Sequence, residues 1–330
     1  MRFGPLPIDE AQGAILAHSE MTSAGLLRKG QWVGPEAIRA LRADGRTEVT
    51  VARPDPDDLH EDEAAERLAR ALVPEEAESG FRVTKAATGR VNIHARAAGL
   101  VRINRTAIDA LNAVNPMITL ATVVPFYRAD AGAMVGTVKI ISYAVPGADV
   151  AGACGLAQGA LGLLRPVVRT ATLIETMSDG QEPAPKGRAA TAKRLARLAV
   201  DLAPRVVVAH EVTALTRAIR EARTDIILIL TATATSDADD VAPMALRQAG
   251  GRVIQYGIPV DPGNLLFLGK AGSVPVIGLP GCARSPALNG ADWVLERVVC
   301  GIDLGPADLA AMGVGGLLKE MPSRPRLRQG

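Results

Sequence analysis

Aromatic residues are almost missing from this chain: four Phe, two Trp and three Tyr make up 3% of its 330 residues. Proteins that grip single-stranded nucleic acid stack bases on aromatic rings, and too few rings are here for such a platform. An excess of charge of one sign is missing as well. Lys and Arg number 37 against 35 Asp and Glu, so no electrostatic footprint favours nucleic acid as a partner. Long apolar runs are absent. The longest, such as Ile226–Leu230, is far too short to cross a bilayer, and no membrane partner is expected. Cysteines are few, at Cys154, Cys282 and Cys300, with neither a CxxC pair nor Cys/His ligand spacing. A disulfide framework and a zinc site are therefore not expected, and a reducing cytoplasm is the expected location. The opening MRFGPLPIDEAQG carries no apolar stretch of the signal-peptide kind. GxGxxG after a strand, HExxH and GxSxG are not found, and Gly263 to Lys270 has one residue too many for a P-loop.

What remains is a chain whose packing falls to Ala, Val, Leu and Gly, as suits buried parallel strands under close helices. Residues 1–146 read as a β-rich mixed α+β region. Helices are expected at 34–43, 61–72 and 107–114, with strands at 49–51, 90–95, 99–103, 118–124 and 134–144. The small-residue segment 147–165 reads as a connecting helix. From 166 to 320 strand and helix patterns alternate, which predicts an open three-layer α/β domain. Strands are expected at 167–174, 205–209, 225–230, 252–256 and 274–278, helices at 186–202, 211–222 and 241–249, and a hairpin at 257–269. A further helix is expected after Ser285 as N-cap, with Pro286 at its first position. Residues 321–330 form a basic, Pro-containing tail.

Ligands in α/β domains sit over the carboxyl ends of the strands, and four turns fall there. The first, TATATSDADD at 231–240, offers the hydroxyls of Thr231, Thr233, Thr235 and Ser236 to a phosphate. Its Asp237 and Asp239 suit a hard cation such as Mg2+, or equally the capping of the next helix. The second is Asp261-Pro262-Gly263-Asn264, also readable as a plain hairpin turn. The third, Gly281-Cys282-Ala283-Arg284-Ser285, pairs backbone access at Gly281 with a guanidinium for a phosphate or pterin carbonyl. A position near a helix start would lower the Cys282 pKa, yet no base lies nearby in sequence to make it a nucleophile. The fourth is the loop from Thr176, whose Lys186 and Arg188 precede a helix. His210, with Glu211, is read as a capping or packing residue.

These turns, in this order, resemble those of the molybdopterin-binding proteins related to molybdopterin molybdotransferase and molybdopterin adenylyltransferase. That family has a strand-end loop with two Asp, an Ile/Val-Pro-Gly-Lys-Pro turn and a Leu-Pro-Gly-Asn-Pro turn before a helix. Here 231–240, 261–264 and Leu279-Pro280-Gly281-Cys282-Ala283-Arg284 hold those places. PVDPGNLL, PGCARSP, EDEAA, GRVN, TLATV and MVGTVKII are most similar to the N-terminal half of bifunctional proteins that join molybdopterin binding to a nucleotidyltransferase. The departures are Thr231-Ala232 for Gly-Gly, Asn264 for Lys, Leu265 for the second Pro, Cys282-Ala283 for Asn-Pro, and Thr176-Met177-Ser178-Asp179 for Thr-Gly-Asp/Glu-Glu. The resemblance implies binding of molybdopterin or the molybdenum cofactor during biosynthesis or delivery, with Mg2+ at Asp237 and Asp239. Alternatives it implies are molybdate insertion into adenylylated molybdopterin, and carriage to a separate nucleotidyltransferase or a molybdoenzyme. It also implies a homo-oligomer. The lost glycines and the lost Lys favour pterin binding over metal insertion.

Overall fold

A computed structural model describes residues 1–74, 79–178 and 180–318. Asp179 and the tail at 321–330 lie outside the described residues. The chain divides into two compact units, one of residues 1–97 and 101–163, the other of residues 98–100 and 164 onward.

Unit 1 is built on antiparallel pairing. A small sheet of Arg2–Pro7, Glu48–Arg53 and Ile15–Leu16 closes over its own core of Ile8, Leu16, Val33, Leu41 and Val51. A four-stranded sheet runs Ile118–Thr122, Met134–Ile140, Arg90–Ala95, Phe81–Val83. The helix Glu61–Leu72 places Ala64, Ala65, Leu68, Ala69 and Leu72 on one buried face, at the spacing of an amphipathic helix. The segment 147–165 differs from its expected form. It is helical only over Gly147–Ala157 and returns as a strand at Leu161–Leu164. The helix is not a bare connector, because Val150, Ala153 and Ala157 join the core of this unit. The strand expected at 134–144 stops at Ile140, and Ala144–Pro146 pairs separately with Asp58–His60.

Unit 2 mixes helices with a seven-stranded sheet. In chain order its elements are β1 (Thr170–Met177), α1 (Pro185–Ala196), β2 (Asp201–Leu202), β3 (Val206–Ala209), α2 (Val212–Glu221), β4 (Ile226–Leu230), α3 (Val241–Gln248), β5 (Arg252–Tyr256), β6 (Phe267–Ala271), β7 (Val274–Gly278), α4 (Gly290–Val299) and α5 (Pro306–Ala310). β1 pairs in parallel with β2, β3 and β4, and β4 with β7. β6 runs antiparallel between β7 and β5. All five residues of β4 are buried, as expected of a strand covered on both faces. Ile226, Leu228 and Leu230 cluster with Leu195 of α1 and Val294 of α4. Ile227 and Ile229 cluster with Leu215 and Ile219 of α2 and Leu246 of α3. The alternation of a strand thus feeds two separate cores.

Two expected boundaries move. The helix expected over 186–202 ends at Ala196, because Leu198 and Val200 turn into the core and β2 begins. The last long helix does not start after Ser285. Residues Gly281–Arg284 form a 3-10 turn, and α4 opens at Gly290 under an Asn289–Asp292 capping box. That reciprocal pair satisfies two helix-end amides, which a lone Ser at 285 does not match. The hairpin expected at 257–269 forms with a long connection, β5 and β6 pairing antiparallel across the loop 257–266.

Candidate functional site

The sheet register places the strand ends. Ile174 faces Ile229, Ile229 faces Gly278, and Gly278 and Tyr256 both face Phe267. The carboxyl ends of β1, β4, β5 and β7 therefore lie along one edge, and β3 joins them through Thr176 opposite Val208. The loops 231–240, 257–266 and 279–289 all leave from that edge, as does the chain after Met177 and His210 after β3.

Polar contacts tie these strand ends together. Thr176, buried at the end of β1, accepts a hydrogen bond at Oγ1 from the Ala232 N–H at 2.7 Å and lies 2.9 Å from His210 Nδ1. His210 Nε2 is 3.1 Å from Thr233 Oγ1. One imidazole thus bridges β1 to the loop after β4, a role beyond the capping or packing read from sequence. Thr231 Oγ1 donates to Thr233 O at 2.6 Å, and Tyr256 at the end of β5 donates to Thr235 O at 3.0 Å. The Arg284 guanidinium donates to Thr231 O, joining the 281–285 turn to the same loop. The edge is polar by design of its residues, yet its backbone is already braced, which is the preorganisation an anion site needs.

The Asp261–Pro262 bond is cis. Pro262 O accepts from the Gly290 N–H at 2.8 Å, so this turn leans on the start of α4. Gly263 has φ +137°, and a Cβ there would stand 2.6 Å from Gly290 N. Only glycine fits that conformation and that approach. Asn264 is exposed. On the other side, Gly187 lets α1 close on the edge, since a Cβ would come within 2.7 Å of Leu230 Cδ2 and 3.4 Å of Arg284 Cγ. The Lys186 side chain, one residue earlier, is exposed and makes no hydrogen bond or ion pair among the described residues.

Four expected site residues are placed differently. Arg188 donates through Nη2 to Ala203 O at 2.7 Å. Ala203 bonds Ala171 near the amino end of β1, so this guanidinium points away from the strand-end set. Asp239 pairs with Arg247 at 2.9 Å, and Asp237 Oδ1 accepts from the Asp239 N–H at 2.8 Å. The helix cap is Asp240, which accepts from Ser236 N and Val241 N. No group of three His, Cys, Asp or Glu that would hold a metal is present among the described residues. With Asp239 neutralised by Arg247 and Asp240 engaged as the cap, Asp237 alone does not make the oxygen-rich shell a resident magnesium takes. Cys282 is half-buried, and burial pushes its thiol up rather than down. The 3-10 turn offers no full helix start there to oppose desolvation.

The residue that sequence reading missed is Arg194 of α1. It pairs with Asp292 at 2.6 Å, both largely buried. It also donates to Ala283 O, Ser285 O and Ala287 O. One guanidinium thereby holds the whole 283–292 segment. Its partner lies 98 residues away, a separation that leaves no local signal. A recess of about 440 Å3 runs along residues 2–6 in unit 1 with Glu10, Val51 and Arg53, and none of the expected site residues line it. No helix among the described residues is long and apolar enough to cross a membrane.

A sequence family described as a domain of unknown function, DUF8806, matches residues 5–53, the first small sheet and core of unit 1. No curated protein matches the chain. Three solved structures are similar at low levels. A molybdopterin biosynthesis MoeA protein from Pyrococcus horikosii aligns at 14% identity and TM-score 0.32, covering 91% of this chain and 75% of its own. A molybdenum cofactor biosynthesis protein from Pyrococcus furiosus aligns at 11% identity and TM-score 0.26, covering 94% and 65%. A MoeA protein from Pyrococcus horikoshii OT3 aligns at 11% identity and TM-score 0.28, covering 94% and 75%.

Proposed function

We propose that the protein binds molybdopterin or the molybdenum cofactor during its biosynthesis or delivery, at the strand-end edge of unit 2. On this reading unit 2 is a three-layer α/β/α molybdopterin-binding domain. The observation that carries the reading is the convergence of 231–240, 261–264 and 281–285 on one sheet edge. Those are the turns in which the sequence resembles the molybdopterin-binding family. The chemistry of the edge suits such a ligand. The exposed hydroxyls of Thr233 and Ser236 offer hydrogen bonds to a phosphate and Lys186 an exposed positive charge, whereas Thr231 and Thr235 are buried and brace the loop from within. Asp261, Pro262, Gly263 and Asn264 on one side and Gly281, Cys282, Arg284 and Ser285 on the other flank the space for the pterin. Carriage or delivery is favoured over metal insertion, because Asp239 is engaged by Arg247 and Asn264 supplies no cation.

Binding is testable by ligand fluorescence with purified protein and molybdopterin. Asp237→Ala frees the Asp239 amide and loosens the loop, so it is expected to weaken affinity about tenfold, the size of one charge-assisted contact. Equal affinity in wild type and variant takes this loop out of the site. Turnover of adenylylated molybdopterin with molybdate and magnesium replaces the carrier reading with a transferase.

A further inference from the structure

Glu175 lies in the interior of β1 and is fully buried. Its Oε2 accepts from Arg205 Nε at 2.9 Å. Arg205 directs its other nitrogens to the chain just before α1, with Nη1 donating to Glu182 Oε2 at 3.2 Å and Nη2 to Pro183 O at 2.7 Å. A single planar fork therefore locks the lead-in of α1 to the sheet, a geometry Lys cannot copy. The arrangement is a poor way to gain stability. Glu175 Oε1 is buried with no hydrogen-bond partner, and an apolar residue of similar size would fill that place without desolvating an acid. What the carboxylate does achieve is to orient Arg205. Three residues beyond Pro183 comes Lys186, the exposed cation without a partner among the described residues. Gly187 then seats α1 against Leu230 and Arg284, so the backbone that carries Lys186 stands beside the Thr231 loop.

We propose that Arg205, oriented by Glu175, is a positioning residue that fixes Glu182 and Pro183 so that Lys186 is presented to the phosphate of the bound ligand. This rests on the proposed function, since it concerns the same site. Arg205 touches no ligand itself and acts through Lys186.

The test is a double-mutant cycle on the full chain, read by molybdopterin affinity, with amide hydrogen exchange of the free protein alongside. Arg205→Met and Lys186→Ala are each expected to weaken binding about tenfold. The double variant is expected to bind no more weakly than Lys186→Ala alone, because Arg205 has nothing left to position. Arg205→Lys is expected to behave as Arg205→Met, and Arg205→Met is expected to speed exchange over 182–188 without ligand. Losses that multiply in the double variant overturn the positioning role, as does an Arg205→Met variant with wild-type affinity. Unchanged exchange in Arg205→Met overturns it without reference to any ligand. Wild-type protein that binds no molybdopterin sinks the proposed function instead, and the exchange result then tells whether the loop is held as described.

Discussion

The two edges of the unit 2 sheet use polar residues in opposite ways. At the amino ends of the strands polar groups close the structure. Asp225 accepts from Arg169 N, Thr170 N and the Thr170 hydroxyl, and Lys270 pairs with Asp303 at 2.7 Å. At the carboxyl ends the hydroxyls of Thr176, Thr231 and Thr233 and the His210 ring brace a loop that still leaves Thr233, Ser236 and Asp237 exposed. The same scaffold thus has one edge closed by polar contacts and one that leaves polar groups exposed, and the proposed ligand site lies on the second, where α/β folds place their sites.

Breaking the comparison at its strongest point means removing Arg194. Arg194→Ala leaves Asp292 buried without its cation and frees three carbonyls, and is expected to destabilise unit 2 by about 3 kcal/mol. Denaturant unfolding would show it, with faster hydrogen exchange across 283–292. A stable Arg194→Ala protein with an unchanged 283–292 segment contradicts the placement of that clamp. Thr176→Val is next. It strips the Ala232 amide and His210 of their shared partner and is expected to cost about 1–2 kcal/mol. Its effect on molybdopterin affinity should exceed its effect on melting temperature.

Asp225 sharpens the contrast from the other edge. Hydrogen bonds from Arg169 N, Thr170 N and the Thr170 hydroxyl hold its carboxyl below the ordinary value. A depressed carboxylate adds stability above its unfolded pKa of about 3.9, and loses it as pH falls through the lower folded value. Asp225→Ala is therefore expected to be less stable than wild type by about 1 kcal/mol at neutral pH, a modest figure because the group is exposed. The gap should shrink below about pH 4, with no change in ligand affinity. Stability curves of the two proteins that stay parallel down to pH 3 would count against it. The smallest effect concerns Cys300, which burial pushes up to about 11. It should be the slowest of the three thiols to alkylate in native protein at pH 8, and rapid labelling by mass spectrometry would contradict its burial.

Much of the element layout was readable from pattern. Glu61–Leu72, Arg90–Ala95, Gly99–Ile103, Arg252–Tyr256 and Val274–Gly278 fall where periodicity and turn residues put them. Strong local signals sufficed there. Of the edge, the turns themselves were legible because Pro, Gly and Asp mark strand ends whatever the partner. The bonds between them were not. Arg194 to Asp292, His210 to Thr176 and Arg205 to Glu175 span 98, 34 and 30 residues, and only the tertiary fold brings them together. Ser285-Pro286 misled for a related reason, since a cap motif is judged against its rivals and Asn289–Asp292 makes both bonds of a capping box.

The central claim, a molybdopterin site on the carboxyl edge of unit 2, is tested most directly by hydrogen exchange with and without molybdopterin. The expected result is protection confined to 231–236, 262–264, 281–285 and the start of α1, with the Asp225 edge unchanged. Protection at the Asp225 edge or in unit 1, with none at those loops, would contradict it.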